Sequence, residues 1–160
     1  METIQSLVEQ LGSADQAQDF RAYRALWQIV AAAGTPGKDA ERSQVAQELA
    51  AQLNAETEHT DGEGKQHKSI KYSAAVRGRI AQLLSCVAAE SEVEALQKSL
   101  GDFDTREMAR WALDRTPCQP ATVALATAAC DGVGPEYRVG AVNALACRGG
   151  DEAVPSWMTA

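Results

Sequence analysis

The chain has 160 residues, with 45% hydrophobic and only 5% aromatic, and its formal net charge is −7. That length suffices for one cored domain or for about four to five stacked helical hairpins. The acidic balance speaks against nucleic acid and against an anionic membrane surface, since both call for a basic field.

No apolar run approaches the roughly 18 residues of a membrane span. The N-terminus, Met-Glu-Thr-Ile-Gln-Ser, lacks the basic and apolar regions of a signal peptide. Cys86, Cys118, Cys130 and Cys147 form no CxxC pair. They are expected as free, buried thiols of a soluble cytoplasmic protein.

Ile4, Leu7, Val8 and Leu11 fall at helical spacing and predict a short first helix ended by Gly12. Ser13 or Asp15 can cap the next helix, which is expected to run to about Ala33. Its apolar stripe is Phe20, Tyr23, Leu26, Trp27 and Val30. Gly34-Thr-Pro-Gly37 breaks the chain. A third helix to about Asn54 puts Val45, Leu49 and Leu53 on one face, with Glu41, Arg42, Gln44 and Gln47 away from it. Residues 55–69 contain no large apolar residue and read as a solvated loop. The expected organisation is an N-terminal helical segment over 1–55, a polar loop over 56–69, and repeats over 70–160, within one continuous domain.

From residue 70 the sequence repeats itself. Arg77, Arg106 and Arg138 are each followed by apolar residues three, six and seven positions on. These are Ile80, Leu83 and Leu84, then Ala109, Ala112 and Leu113, then Ala141, Ala144 and Leu145. Leu96, Leu125 and Trp157 stand nineteen residues after the anchors, with Val93, Thr122 and Val154 three positions before them. Each unit is therefore expected to be helix, turn, helix. The anchors lie 29 and 32 residues apart (106 − 77 and 138 − 106), the longer spacing falling in the loop Cys130-Asp-Gly-Val-Gly-Pro-Glu-Tyr137.

Asp102-Phe-Asp-Thr-Arg106-Glu-Met-Ala-Arg-Trp-Ala-Leu113, Tyr137-Arg-Val-Gly-Ala-Val-Asn-Ala-Leu145 and Gly150-Asp-Glu-Ala-Val-Pro-Ser-Trp157 carry a family resemblance. They resemble HEAT repeats, in particular the short bacterial PBS-lyase HEAT-like type. The resemblance covers residues 72–160 and only loosely the first 55, where Asp19 stands at the anchor position. It implies an all-α fold, a right-handed alpha-alpha superhelix of stacked hairpins. It also implies that each anchor arginine pairs with an aspartate of the preceding turn, such as Asp102, Asp104 or Asp131. A third implication is that the second helices, with Glu92, Gln97, Lys98, Thr122 and Thr127, line the face where partners bind.

Candidate chemistry is sparse. The only histidines, His59 and His67, lie in the polar segment with Glu58, Asp61 and Glu63, in a spacing that matches neither a closed zinc site nor a calcium loop. The sequence has no Gly-x-Ser-x-Gly, no Walker loop, no Gly-x-Gly-x-x-Gly and no His-Glu pair for iron. No catalytic residue, metal or cofactor is expected. Trp111 aligns with the polar Gln82 and Asn143 and so is expected to face outward as a contact residue. Trp27 and Trp157 are expected in the core. Val154, Trp157 and Met158 would leave an apolar C-terminal edge, covered by another chain or by further residues.

The expectation is a non-enzymatic protein-interaction module or scaffold whose partner is another protein, with possible self-association through that edge. The alternatives are a subunit of a chromophore lyase-like enzyme and a HEAT-like nucleic-acid-binding protein.

Overall fold

A computed structural model describes residues 2–131 and 134–148, with the side chain of Asp131 outside the description. Three helices come first: α1 (Ile4–Gln10), α2 (Gln16–Ala33) and α3 (Asp39–Leu53). A two-stranded antiparallel hairpin follows, β1 (Glu56–Thr60) and β2 (Gln66–Ile70). The remaining described helices are α4 (Ala74–Val87), α5 (Val93–Leu100), α6 (Arg106–Arg115), α7 (Gln119–Asp131) and α8 (Pro135–Arg148), with a 3-10 turn at Glu90–Glu92 before α5. The protein is mostly helical, in keeping with an all-α class.

The helix starts follow local chemistry. Thr3 and Ser6 form a reciprocal capping box on α1. Asp15, rather than Ser13, caps α2 by accepting from the Ala17 N–H at 2.9 Å. Gly12, at φ +78°, takes the left-handed turn between α1 and α2, and Val76 of α4 lies 3.0 Å from where a Cβ would stand. Only glycine combines that backbone with so close an approach.

Packing follows the alternation of the helices. α2 lies on α4, α4 on α6 and α6 on α8; α3 lies on α5 and α5 on α7. One core runs through these helices, from Ile4 of α1 to Leu145 of α8. Leu84, Leu113 and Leu145 all belong to it. Ala109, Ala112, Ala141 and Ala144 are buried between helices, where a larger side chain would hold the backbones apart.

Several expectations change. Residues 56–70 form a hairpin where a loop was expected, although they are almost wholly exposed. Its stability comes from the ladder and the turn rather than from burial. The Gly64 N–H donates to the Asp61 carbonyl at 3.0 Å, and Gly64 itself sits at φ +82°. Phe20, expected on the apolar stripe of α2, is 64% exposed, while Trp27 is half-buried against the core. The cysteines are free, but Cys86, Cys130 and Cys147 are exposed and Cys118 is half-buried, so none is the buried filler that was expected. Trp157 and the apolar edge of Val154, Trp157 and Met158 lie outside the described residues.

The position of Leu113, fully buried in the last turn of α6, predicts a large truncation effect. Leu113→Ala should lower unfolding stability by about 2–5 kcal/mol in a urea titration. A loss below about 1 kcal/mol would show that α6 does not sit in a shared core.

Candidate functional site

The arginine anchors part company. Arg77 is buried at the start of α4, its Nη1 donating to Asp102 Oδ2 at 2.6 Å and its Nε to the Tyr72 carbonyl at 3.3 Å. Asp102 precedes Arg106 in sequence, yet the structure joins it to the arginine of the hairpin before. The ion pair thus stitches α4 to the turn ahead of α6, instead of closing within a single unit. The Arg77 guanidinium, helped by the Asp104 backbone N–H, holds the Asp102 carboxyl below the usual carboxylate range. Asp104 is exposed. Arg106 stacks on two rings, its guanidinium carbon 4.5 Å from the Phe103 centroid and 5.0 Å from that of Tyr137. Tyr137 is buried, and burial pushes its hydroxyl up, with Glu107 adding to the effect. Arg138 is exposed on α8. Pairing through Asp131 lies outside the described side chains.

Two arginines without an anchor role cap helices instead. Arg42, expected away from the packed face of α3, donates from Nε to the Val87 carbonyl at 3.1 Å and caps α4. Arg148 donates to the carbonyls of Leu113, Asp114, Thr116 and Cys118 at 2.8–3.0 Å, holding the α6–α7 turn.

The second-helix candidates divide in the same way. Gln97, Lys98 and Thr127 are exposed. Lys98 faces Glu56 of the hairpin, 3.6 Å away. Glu92, accepting the Ala89 N–H at 2.8 Å, and Thr122 are buried, 1% and 7% exposed, and do not belong to that surface. The Thr122 hydroxyl accepts from Arg148 Nε at 3.0 Å. The repeat register already aligns Thr122 with Val93, a core position, and that was the signal to heed.

A concave surface lies on the first helices instead. An open groove of about 490 Å³ runs over α4, lined by Ala75, Gly78, Arg79, Gln82, Asp104 and Met108, with Ala74 at one end. Gly78 makes the floor, and Met108 Cγ stands 3.5 Å from the place a Cβ would take. Arg79 and Gln82 of the groove are tied to α2 by a network. Arg79 Nη1 donates to Asp19 Oδ1 at 2.6 Å, and the guanidinium lies 5.2 Å from the Tyr23 ring centre. The Tyr23 hydroxyl donates to Gln82 Oε1 at 2.6 Å, and Trp27 packs edge-on to Tyr23 at 6.2 Å. Arg79, with the Gly12 N–H second, holds the Asp19 carboxyl below its ordinary value. On α6, Trp111 follows Met108 by three residues and so shares its side of the helix. Trp111 is half-buried, with Arg115 5.4 Å from its ring centre. Sequence reasoning missed Arg79 and Met108, although the outward row of Gln82, Trp111 and Asn143 pointed to this side.

Nothing in the groove pairs a nucleophile with a base, because both histidines lie in the hairpin. Among the described residues no group of three or more His, Cys, Asp and Glu converges to hold a metal ion, and none of the described helices is long and apolar enough to cross a membrane. No protein-family model matches the chain, and no curated protein matches it.

Asp102 supplies a pH test. Its carboxyl titrates near about 3.9 in an unfolded chain and lower in the folded one, so the Arg77 pair stabilises fully above about pH 5 and is lost as acid protonates the folded carboxyl. Wild type should therefore be more stable than Asp102→Asn by a constant margin above pH 5, and the two should converge between about pH 5 and 2 in denaturant titrations. Parallel curves would show that this carboxylate does not hold Arg77.

Proposed function

We propose that the chain is a HEAT-like helical solenoid and acts as a non-enzymatic protein-interaction module, binding another protein through the first-helix face. Two observations support the solenoid. First helices pack on first helices and second on second, and the three repeat leucines share one core. The observation that carries the binding role is the composition of the groove and its flanks. Tyr23, Trp27, Met108 and Trp111 are all half-buried, and Arg79 and Arg115 lie against their rings. Tyr, Trp, Met and Arg are the residues enriched where proteins bury surface against one another. Half-burial leaves these side chains oriented by their neighbours while part of each faces solvent, so little ordering entropy remains to be lost on binding.

The groove adds shape to that composition. Its lining includes the small Ala74, Ala75 and Gly78, and Arg79 and Gln82 are held by hydrogen bonds to α2, so a protruding side chain or helix turn meets a preformed surface. The net charge of −7 makes a basic partner surface the better electrostatic match.

Affinity capture from the source organism, comparing wild type with Trp111→Ala, tests this reading. Loss of a hot-spot tryptophan costs about 2 kcal/mol, roughly 30-fold in Kd, so partners held by wild type should disappear from the variant. Equal recovery of every partner by a variant that melts like wild type would sink the proposal.

A further inference from the structure

The hairpin carries an arrangement that the binding surface does not use. His59 and His67 stand directly opposite each other across β1 and β2. Their rings are stacked, with centroids 5.7 Å apart and planes 25° from parallel. Side chains alternate across a strand, so Glu58 and Lys68, the next opposed pair, project from the other face and keep the ammonium off the imidazoles. The face shared by the two rings carries the small Thr57 and Ser69 on one side and the Asp61–Lys65 pair of the turn on the other.

One of the rings is held from behind. His67 Nε2 lies 2.7 Å from Asp61 Oδ2. The other carboxylate oxygen, Oδ1, accepts the backbone N–H groups of Glu63 and Lys65, both at 2.9 Å, and this fixes the carboxylate in the hairpin turn. The His67 hydrogen bond, followed by these backbone bonds, holds the Asp61 carboxyl below its ordinary range. An ionised carboxylate only accepts, so Nε2 must carry the proton, and in the neutral ring Nδ1 holds the lone pair. A carboxylate behind a histidine in this way fixes its tautomer and raises its basicity as a ligand. Among the described residues the His59 ring makes no hydrogen bond, so it is able to turn toward an ion beside His67.

From this geometry we infer that the hairpin binds one borderline divalent transition ion, of the Zn²⁺ or Ni²⁺ class, through the imidazoles of His59 and His67, with Asp61 orienting His67. Imidazole nitrogen selects such ions over Mg²⁺ and Ca²⁺, which take oxygen ligands. Two imidazoles on one ion, with nitrogens about 2.0 Å from it, have ring centres roughly 5 Å apart, close to the observed 5.7 Å; because the rings are stacked and a nitrogen lone pair lies in its ring plane, the His59 ring turns out of the stack to meet an ion held by His67. Water completes the coordination, because no third His, Cys, Asp or Glu among the described residues converges on the pair. Both strands are solvent-exposed, so entry is unobstructed.

The test is a Zn²⁺ titration of the full chain, followed by calorimetry and by NMR of the histidine rings. The NMR readout separates this site from the free thiols of Cys86, Cys118, Cys130 and Cys147, which also take zinc. Both ring spin systems should shift together and saturate at one ion, while Mg²⁺ leaves them unmoved. The site's affinity should fall at least ten-fold in His59→Ala, in His67→Ala and in Asp61→Asn, which keeps an acceptor oxygen for the turn. Unmoved rings, or undiminished binding in any of the three variants, would overturn the inference.

Discussion

A helix whose inward face is alanine and leucine can remove that face from water only by lying against another helix, and in this protein every described helix is placed by that requirement. The main core does not divide hairpin by hairpin; it includes residues from Ile4 to Leu145, with a small satellite cluster of Ala128, Tyr137 and Ala141 beside it. Small residues set the spacing. Where Ala109 and Ala112 of α6 and Ala141 of α8 are buried, backbones come close enough for leucines from neighbouring helices to share one layer. Each helix is then stabilised by its neighbours more than by its own propensity.

Close helix packing leaves the last carbonyls of each helix in search of donors, and arginine meets that need repeatedly. Arg42 reaches from α3 to the end of α4, and Arg148 reaches from α8 to the end of α6. A planar guanidinium with five N–H groups can satisfy several carbonyls at once, which lysine cannot. Arg77 works at the opposite end of its helix, taking the carboxylate of Asp102. These bonds link one hairpin to another, so the polar contacts follow the same path as the apolar core.

Much of this was legible in the sequence. The three-fold recurrence of apolar residues after Arg77, Arg106 and Arg138 located the five described helices from α4 to α8, and Leu84, Leu113 and Leu145 are buried as that spacing requires. Thr122 was misread because its chemistry is polar, while its register, shared with Val93, marked it as interior. Phe20 was misread in the other direction: helical spacing put it near the stripe, but its position at the edge of α2 turns it to solvent. The hairpin escaped notice because its strands are polar on both faces and lack the alternation that burial imposes. Its one local mark was Asp61-Gly62 before a second glycine, a turn signal between two Thr-containing runs. The groove depends on Arg79 of α4 and Met108 of α6 lining one surface, a juxtaposition of helices that no local pattern encodes.

The central claim is that the hairpins share a core rather than fold as separate units, and native-state amide hydrogen exchange on Leu84→Ala tests it most directly. A shared core predicts that protection falls together in α3, α4 and α6, because Leu84 joins layers contributed by all three. If the loss stayed within α4 and left α3 and α6 as protected as in wild type, the shared core would be contradicted.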